Sequence, residues 1–356
     1  MKPSPAEWGK VRVEAGQLKR FSLEVGKSLS GARVNLPIVV WRAKEPGPVL
    51  GITSAVHGDE VNGTGAIRSL IQEPPFSLAR GTLILIPVIN ILGFERHTRY
   101  MPDRRDLNRS FPGTAKGSLT ARLARKVFED VVKRCDYIVD LHTAALRRTN
   151  FPNVRADCEN TDCQRLARAF GCEVIVNGSG PEGSLRREAV DAGCPTIVIE
   201  AGEVWKVEPT VLDLTRRGIT NVLIELGIVE GFQQLPPHQI IVEETKWVRA
   251  EKAGLLRYHV APGQSVASGQ VLATNTTLLG RTNETIRSPY DGIVMGMTTM
   301  PAVAAGDPIF HIALPKSKQQ HLRLTQSIGG LEKNSLESDL RTQLATNIDV
   351  SEEEEQ

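Results

Sequence analysis

Val49-Leu-Gly-Ile-Thr-Ser-Ala-Val56, followed at once by His57-Gly58-Asp59-Glu60, is the stretch on which the reading of this chain turns. The apolar run follows the turn signal Pro46-Gly47-Pro48 and is rich enough in small and β-branched residues to predict a buried strand. It ends on two potential metal ligands three residues apart, where a strand would turn into a helix. Zinc accepts imidazole nitrogen and carboxylate oxygen, so His57 and Glu60 are candidates to point at one ion.

Three further runs have the same character: Thr82–Val88 (TLILIPV), Tyr137–Leu141 (YIVDL) and Pro195–Glu200 (PTIVIE). Helix-like stretches separate them, at Gly63–Ile71, Leu119–Cys135, Asp162–Phe170 and Thr210–Leu226. Apolar strands alternating with amphipathic helices predict an α/β fold, a sheet flanked by helices on both faces. In open α/β sheets, ligands bind beyond the carboxyl ends of the strands. His142 and Glu200 stand at such ends, as His57 does. A catalytic zinc usually takes three protein ligands and keeps a position for water, so His142 supplies the third. Strand alternation puts Asp140 on the same side as His142, where it can orient the imidazole. Glu200 is the candidate general base that activates water, with Glu203 the rival carboxylate.

Leu235-Pro236-Pro237 breaks the pattern and predicts a domain boundary, giving a hydrolase domain over 1–235. Residues 236–315 read as a small β-rich domain. It carries a weak internal repeat, Gly263-Gln-Ser-Val-Ala-Ser-Gly269 and Met300-Pro-Ala-Val-Ala-Ala-Gly306. This resembles the barrel-sandwich hairpins of lipoyl and biotinyl carriers. Such carriers need a lysine at a hairpin tip, and residues 253–315 contain none, so a scaffold packed beside the hydrolase domain is expected. Residues 316–356 are polar, end in SEEEEQ, and are expected to be a disordered tail.

The 43 basic and 41 acidic side chains leave a net charge of only +2, too little to point to nucleic acid or an anionic membrane as partner. The first residues lack an apolar signal-peptide core, and no run approaches the roughly 18 apolar residues of a membrane span. Five cysteines, odd in number and without a CxxC, predict reduced thiols and a cytoplasmic location. The spacing of Cys158, Cys163 and Cys172 matches no zinc module. Homo-oligomerisation through strands of the second domain is a further expectation.

The loop from Arg99 to Gly113 is dense in arginine, which grips carboxylates with a two-pronged fork and stabilises oxyanions. Leu107 and Phe111 flank Asn108-Arg109 and read as buried anchors. Together HGDE, DLNRSFPG, DLHT and VIEAGE, in this order, resemble the succinylglutamate desuccinylase/aspartoacylase family of the zinc carboxypeptidase superfamily. The resemblance is close over about residues 45–235. It implies a zinc-carboxypeptidase-like mixed sheet, one zinc held by His57, Glu60 and His142, and Glu200 as the catalytic glutamate. It further implies that Asn108 and Arg109 bind a substrate carboxylate and that Arg99 polarises the scissile carbonyl. Arg186 resembles another substrate-binding arginine, with Arg187 an equal rival, and Tyr290 stands as a guess for a C-terminal tyrosine. The activity implied is deacylation of a small N-acylated amino acid. The alternatives are a zinc carboxypeptidase acting on short peptides and, from another class, a non-catalytic binding protein.

Overall fold

The computed structural model describes residues 3–317, and its frame is a 13-stranded mixed sheet. The chain enters it through an antiparallel hairpin of β1 (Leu18–Lys27) and β2 (Arg33–Arg42). There follow β3 (Glu45–Ser54), α1 (Asn62–Gln72), β4 (Arg80–Ile86), α2 (Leu119–Asp130) and β5 (Tyr137–His142). Next come β6 (Arg148–Ala156), α3 (Thr161–Phe170), β7 (Val174–Asn177), α4 (Leu185–Asp191), β8 (Thr196–Gly202) and α5 (Pro209–Glu225). Beyond the short strands Ser265–Val266 and Ala302–Val303, the later strands are β9 (Ile240–Val242), β10 (Glu244–Arg249), β11 (Gly254–Tyr258), β12 (Val271–Thr276), β13 (Thr282–Arg287), β14 (Gly292–Thr298) and β15 (Pro308–Leu314).

The main path of the sheet runs β10-β15-β14-β6-β8-β5-β3-β4-β2-β1. β8, β5, β3 and β4 lie parallel, so the residues following β3, β5 and β8 emerge at one edge. Glu200 stands directly opposite His142 in the β8–β5 register. Side-chain alternation splits these strands between two apolar layers. Ile84 and Ile138 face Leu123 and Val127 of α2, whereas Leu83 and Val139 join Ile67, Leu166 and Val222 of α1, α3 and α5. This is the α/β sheet covered on both faces that the apolar runs predicted.

The long helix expected over Leu119–Cys135 is shorter than expected. Ser118 caps its start by accepting from Ala121 N, but the helix ends at Asp130 and gives way to a 3-10 turn over Val132–Arg134. The β-branched pair Val131-Val132, crowded at χ1, sits at the break.

Beyond residue 236 the chain rejoins the main sheet. β9 pairs in parallel with β7, and β14 lies antiparallel to β6, carrying β15 and β10 with it. A separate four-stranded sheet contains β13, β12, β11 and the short strand Ala302–Val303. The internal repeat is a repeat of turns. Gly269 and Gly306 both take positive φ, +86° and +89°. Each turn is closed by a side chain accepting from the main chain, Gln270 from Ala267 N and Asp307 from Ala304 N. None of the five cysteines, all among the described residues, is in a disulfide, and four of them are buried. No helix among the described residues is long and apolar enough to cross a membrane. Most of the expected tail, from residue 318 onward, lies outside the described residues.

Candidate metal centre and substrate pocket

The turn after β3 leaves the sheet through Ala55, held at φ +50°, and brings His57 and Glu60 back on each other. Gly58 is required there, because a Cβ would lie 2.1 Å from the carbonyl carbon of Gly93. Nδ1 of His57 is 2.7 Å from Oε1 of Glu60, and Nδ1 of His142 is 2.8 Å from Oε2. One ligand atom from each of the three residues falls within 4.8 Å of the others, and all three side chains are buried.

The outward ring nitrogens are held by carboxylates. Nε2 of His142 meets Asp140 Oδ2 at 2.8 Å, and Oδ1 of the same carboxylate accepts from Thr53 Oγ1 at 2.7 Å. Nε2 of His57 lies 3.1 Å from Asp106 Oδ1. Burial opposes protonation of both imidazoles, yet the facing carboxylates outweigh it and raise both pKa values, that of His142 well above normal. Burial likewise works against the Glu60 carboxylate, and the two imidazoles nevertheless hold it far below the usual carboxylate range. Two nitrogens and one carboxylate, stabilised by positive charge, form a donor set suited to a divalent cation such as zinc.

Around this centre lies a cavity of about 280 Å³. Glu200 lines it, whereas Glu203 does not and is engaged by Lys206 and Thr299. Arg186 lines it at 8% exposure, its Nη1 buried without a hydrogen-bond partner among the described residues; burial, then the neighbouring Arg155, lowers its pKa to about 10. Arg187 instead faces outward onto Asp191 and Ser179. Tyr290 sits in a turn away from the cavity walls.

The arginine-rich loop is anchored by the buried side chains of Leu107 and Phe111. Asn108 accepts from Leu185 N through Oδ1 at 2.9 Å, which leaves its amide N–H groups as donors. Gly183 lets the two segments touch, since a Cβ there would meet the Arg109 carbonyl oxygen at 2.6 Å. Arg99 places Nη1 on Glu60 at 3.1 Å and Nη2 on Asp106 at 3.3 Å.

Reading the sequence missed the opposite wall. β6 contributes Arg148, Asn150 and Arg155, and the C-terminal strands β10 and β15 contribute Trp247 and His311. Trp247 and His311 stack with centroids 4.4 Å apart and planes 2° apart, and the Arg148 guanidinium lies 4.7 Å from the Trp247 centroid. Burial and the charges of Arg155 and Arg148 lower the His311 pKa to about 3. The signal available in the sequence was the polar insertion Arg148-Thr-Asn-Phe-Pro-Asn-Val-Arg155 directly after a buried strand.

A helix-flanked mixed sheet with a buried His–Glu–His set at its strand ends defines an α/β protein with a candidate metal centre. The pattern of the succinylglutamate desuccinylase/aspartoacylase catalytic domain matches residues 46–226, about half of the chain. The N-α-acetyl-L-2,4-diaminobutyric acid deacetylase of Halomonas elongata is 30% identical over 315 residues, covering 85% of this chain and 91% of that protein. The chain belongs to the succinylglutamate desuccinylase/aspartoacylase family. The fold agrees: a family structure from Rhodobacter sphaeroides superposes with TM-score 0.75 at 24% identity, covering 87% of this chain and 98% of that one. The ectoine utilization protein EutE (DoeB) of Ruegeria pomeroyi gives 0.73 at 24%, covering 86% and 98%.

Proposed function

We propose that the chain is a zinc-dependent amidohydrolase removing the acyl group from an N-acylated amino acid or similar small carboxylate-bearing amide. The observation that carries this reading is convergence in one cavity. The His57–Glu60–His142 donor set, Glu200 and five arginines share its walls, and among the described residues none of Arg109, Arg148 or Arg186 is paired with a carboxylate. The named activity of the Halomonas elongata relative supports the reaction class.

His57, Glu60 and His142 would hold the zinc, with Asp106 and Asp140 fixing the two imidazoles. Zinc held there supplies Lewis acidity, which polarises an amide carbonyl and eases deprotonation of water. Glu200 accepts the proton of the attacking water and passes it to the leaving nitrogen. Arg99, clamped by Glu60 and Asp106, offers its guanidinium to the developing charge on the carbonyl oxygen. Arg109 and the free amide of Asn108 dock the substrate carboxylate, and Arg186 adds positive charge beside Glu200.

The carboxypeptidase alternative shares this chemistry but needs an open groove. Trp247 and His311 help wall the cavity, and about 280 Å³ suits a small amide better than a peptide. The deciding experiment offers N-acetyl and N-succinyl amino acids and dipeptides to zinc-loaded protein. Amine release from the acylated amino acids alone is expected; release from peptides alone would establish the peptidase. Glu200→Gln should keep its zinc and lose about 100- to 10,000-fold in turnover, the range for a general base. Normal turnover in that variant would remove Glu200 from the mechanism.

A further inference from the structure

Glu200 is held from a single strand. Asn150 of β6 donates through Nδ2 to Oε2 at 3.1 Å, Arg155 Nε stands 3.6 Å from Oε1, and Asn153 Nδ2 reaches the Glu200 main-chain oxygen at 3.4 Å. In a regular strand Asn150 and Arg155, an odd number of residues apart, would point to opposite faces. The register of β6 on β8 explains why both reach one carboxylate. Asn153 lies opposite Glu200 and Asn150 opposite Gly202, so three steps on β6 match two on β8. Such a bulge reverses the alternation and re-aims the side chain beyond it. It falls where β6 changes its outer partner, from β14 at residues 148–150 to β7 at residues 153–156.

The C-terminal strand completes the arrangement. Gly296 of β14 lies opposite Asn150, and a Cβ there would stand 2.6 Å from Asn150 Oδ1. The amide therefore occupies space that only a glycine leaves open, with its N–H side on the carboxylate. A neutral amide fixes the direction of a carboxylate with less loss of basicity than a cation at hydrogen-bonding distance would cause. Arg155, at 3.6 Å, is beyond that distance.

We infer that Asn150, given room by Gly296, is a positioning residue that holds Glu200 in the rotamer from which it acts. This rests on the reading of Glu200 as the general base. The test compares crystal structures and steady-state kinetics of Asn150→Ala and Gly296→Ala with the parent, on the best acylated amino acid from the screen above. In the parent Glu200 should occupy one rotamer on Asn150; in both variants it should leave that position. Loss of a hydrogen bond to a charged group predicts a kcat lower by about 10- to 100-fold in Asn150→Ala with KM little changed, and a smaller drop in Gly296→Ala. Added to Glu200→Gln, Asn150→Ala should cost nothing more, because a positioning residue has nothing left to position. Glu200 unmoved and kcat within about 3-fold of the parent would overturn the inference, as would a change confined to KM. If Asn150→Ala does not fold, Gly296→Ala perturbs the same amide from the neighbouring strand. Should Glu200→Gln turn over normally, the base assignment fails by itself, while the crystal structures still report whether Asn150 holds Glu200.

Discussion

Replacing Asp140 by Asn tests the proposed metal centre without touching a proposed ligand. Asp140 is fully buried and makes two bonds, from Nε2 of His142 at 2.8 Å and from Thr53 Oγ1 at 2.7 Å. Asparagine keeps the shape: its Oδ1 can accept from His142 while its amide donates to the threonine hydroxyl. What disappears is the negative charge behind the imidazole. Hydrogen bonds to charged groups contribute about 1.5–3 kcal/mol, and only the bond to His142 bears on the metal. The upper limit of the effect on zinc affinity is therefore about 10- to 100-fold, which agrees with losses typical when the partner of a ligand histidine is removed. Asp140→Asn, keeping a neutral acceptor, should sit near 10-fold. Asp140→Ala should reach further and also lower stability, because two buried polar groups lose their partner. Thr53→Val is the control, expected to change zinc affinity by less than about 3-fold, since it removes the other bond of Asp140. Competition against a chromophoric chelator measures each dissociation constant. An Asp140→Asn protein binding zinc within about 3-fold of the parent would refute the claim that this carboxylate sets the ligand.

Other consequences follow from the same geometry. Gly58→Ala must move the main chain at Gly93, so it should lower stability by about 1–3 kcal/mol or more in thermal melts; an unchanged Tm would show that the turn is not constrained as described. Arg109→Ala should raise KM for carboxylate-bearing amides by at least about 10-fold and leave their uncharged analogues nearly unaffected; equal losses on both would argue against carboxylate docking. Three arginines on the cavity wall, without carboxylate partners among the described residues, predict that N-acetyl aspartate or glutamate outperforms N-acetyl diaminobutyrate in kcat/KM, and the reverse order would show that another group neutralises that wall.

The parts of the fold legible in the sequence were those set by local pattern. Val49–Val56, Tyr137–Leu141 and Pro195–Glu200 read as strands because both faces are buried, which removes polar residues from the run. The ligand candidates could then be found from the strand ends alone. β1 and β6 escaped for the opposite reason. β1 alternates half-buried and exposed residues at the sheet edge, and β6 carries Arg148, Asn150, Asn153 and Arg155, which interrupt the apolar run that marks a buried strand. The rivalry between Arg186 and Arg187 could not be settled on sequence, since both begin one helical turn. Packing settled their placement, burying the first against the cavity and leaving the second to Asp191.

The role of the C-terminal segment was the least legible, because nothing local ties Trp247, Gly296 or His311 to a site assembled from residues 57–200. The connection is made by long-range pairing: β14 on β6, and β15 and β10 beyond it. A passive scaffold would offer the cavity only apolar packing. Here it offers a stacked Trp247–His311 pair, its imidazole pKa lowered by burial and by the charges of Arg155 and Arg148, and the bare backbone of Gly296 against Asn150. The segment is thus in a position to act on both ends of the proposed reaction, through the wall that a substrate would meet and through the strand that holds Glu200. A chain cut after residue 235 would lose β14 as well as that wall. It should retain the His57–Glu60–His142 donors and bind zinc, yet leave Asn150 without Gly296 opposite it and turn over poorly. Zinc binding together with full turnover in such a truncation would show that the segment takes no part in the chemistry.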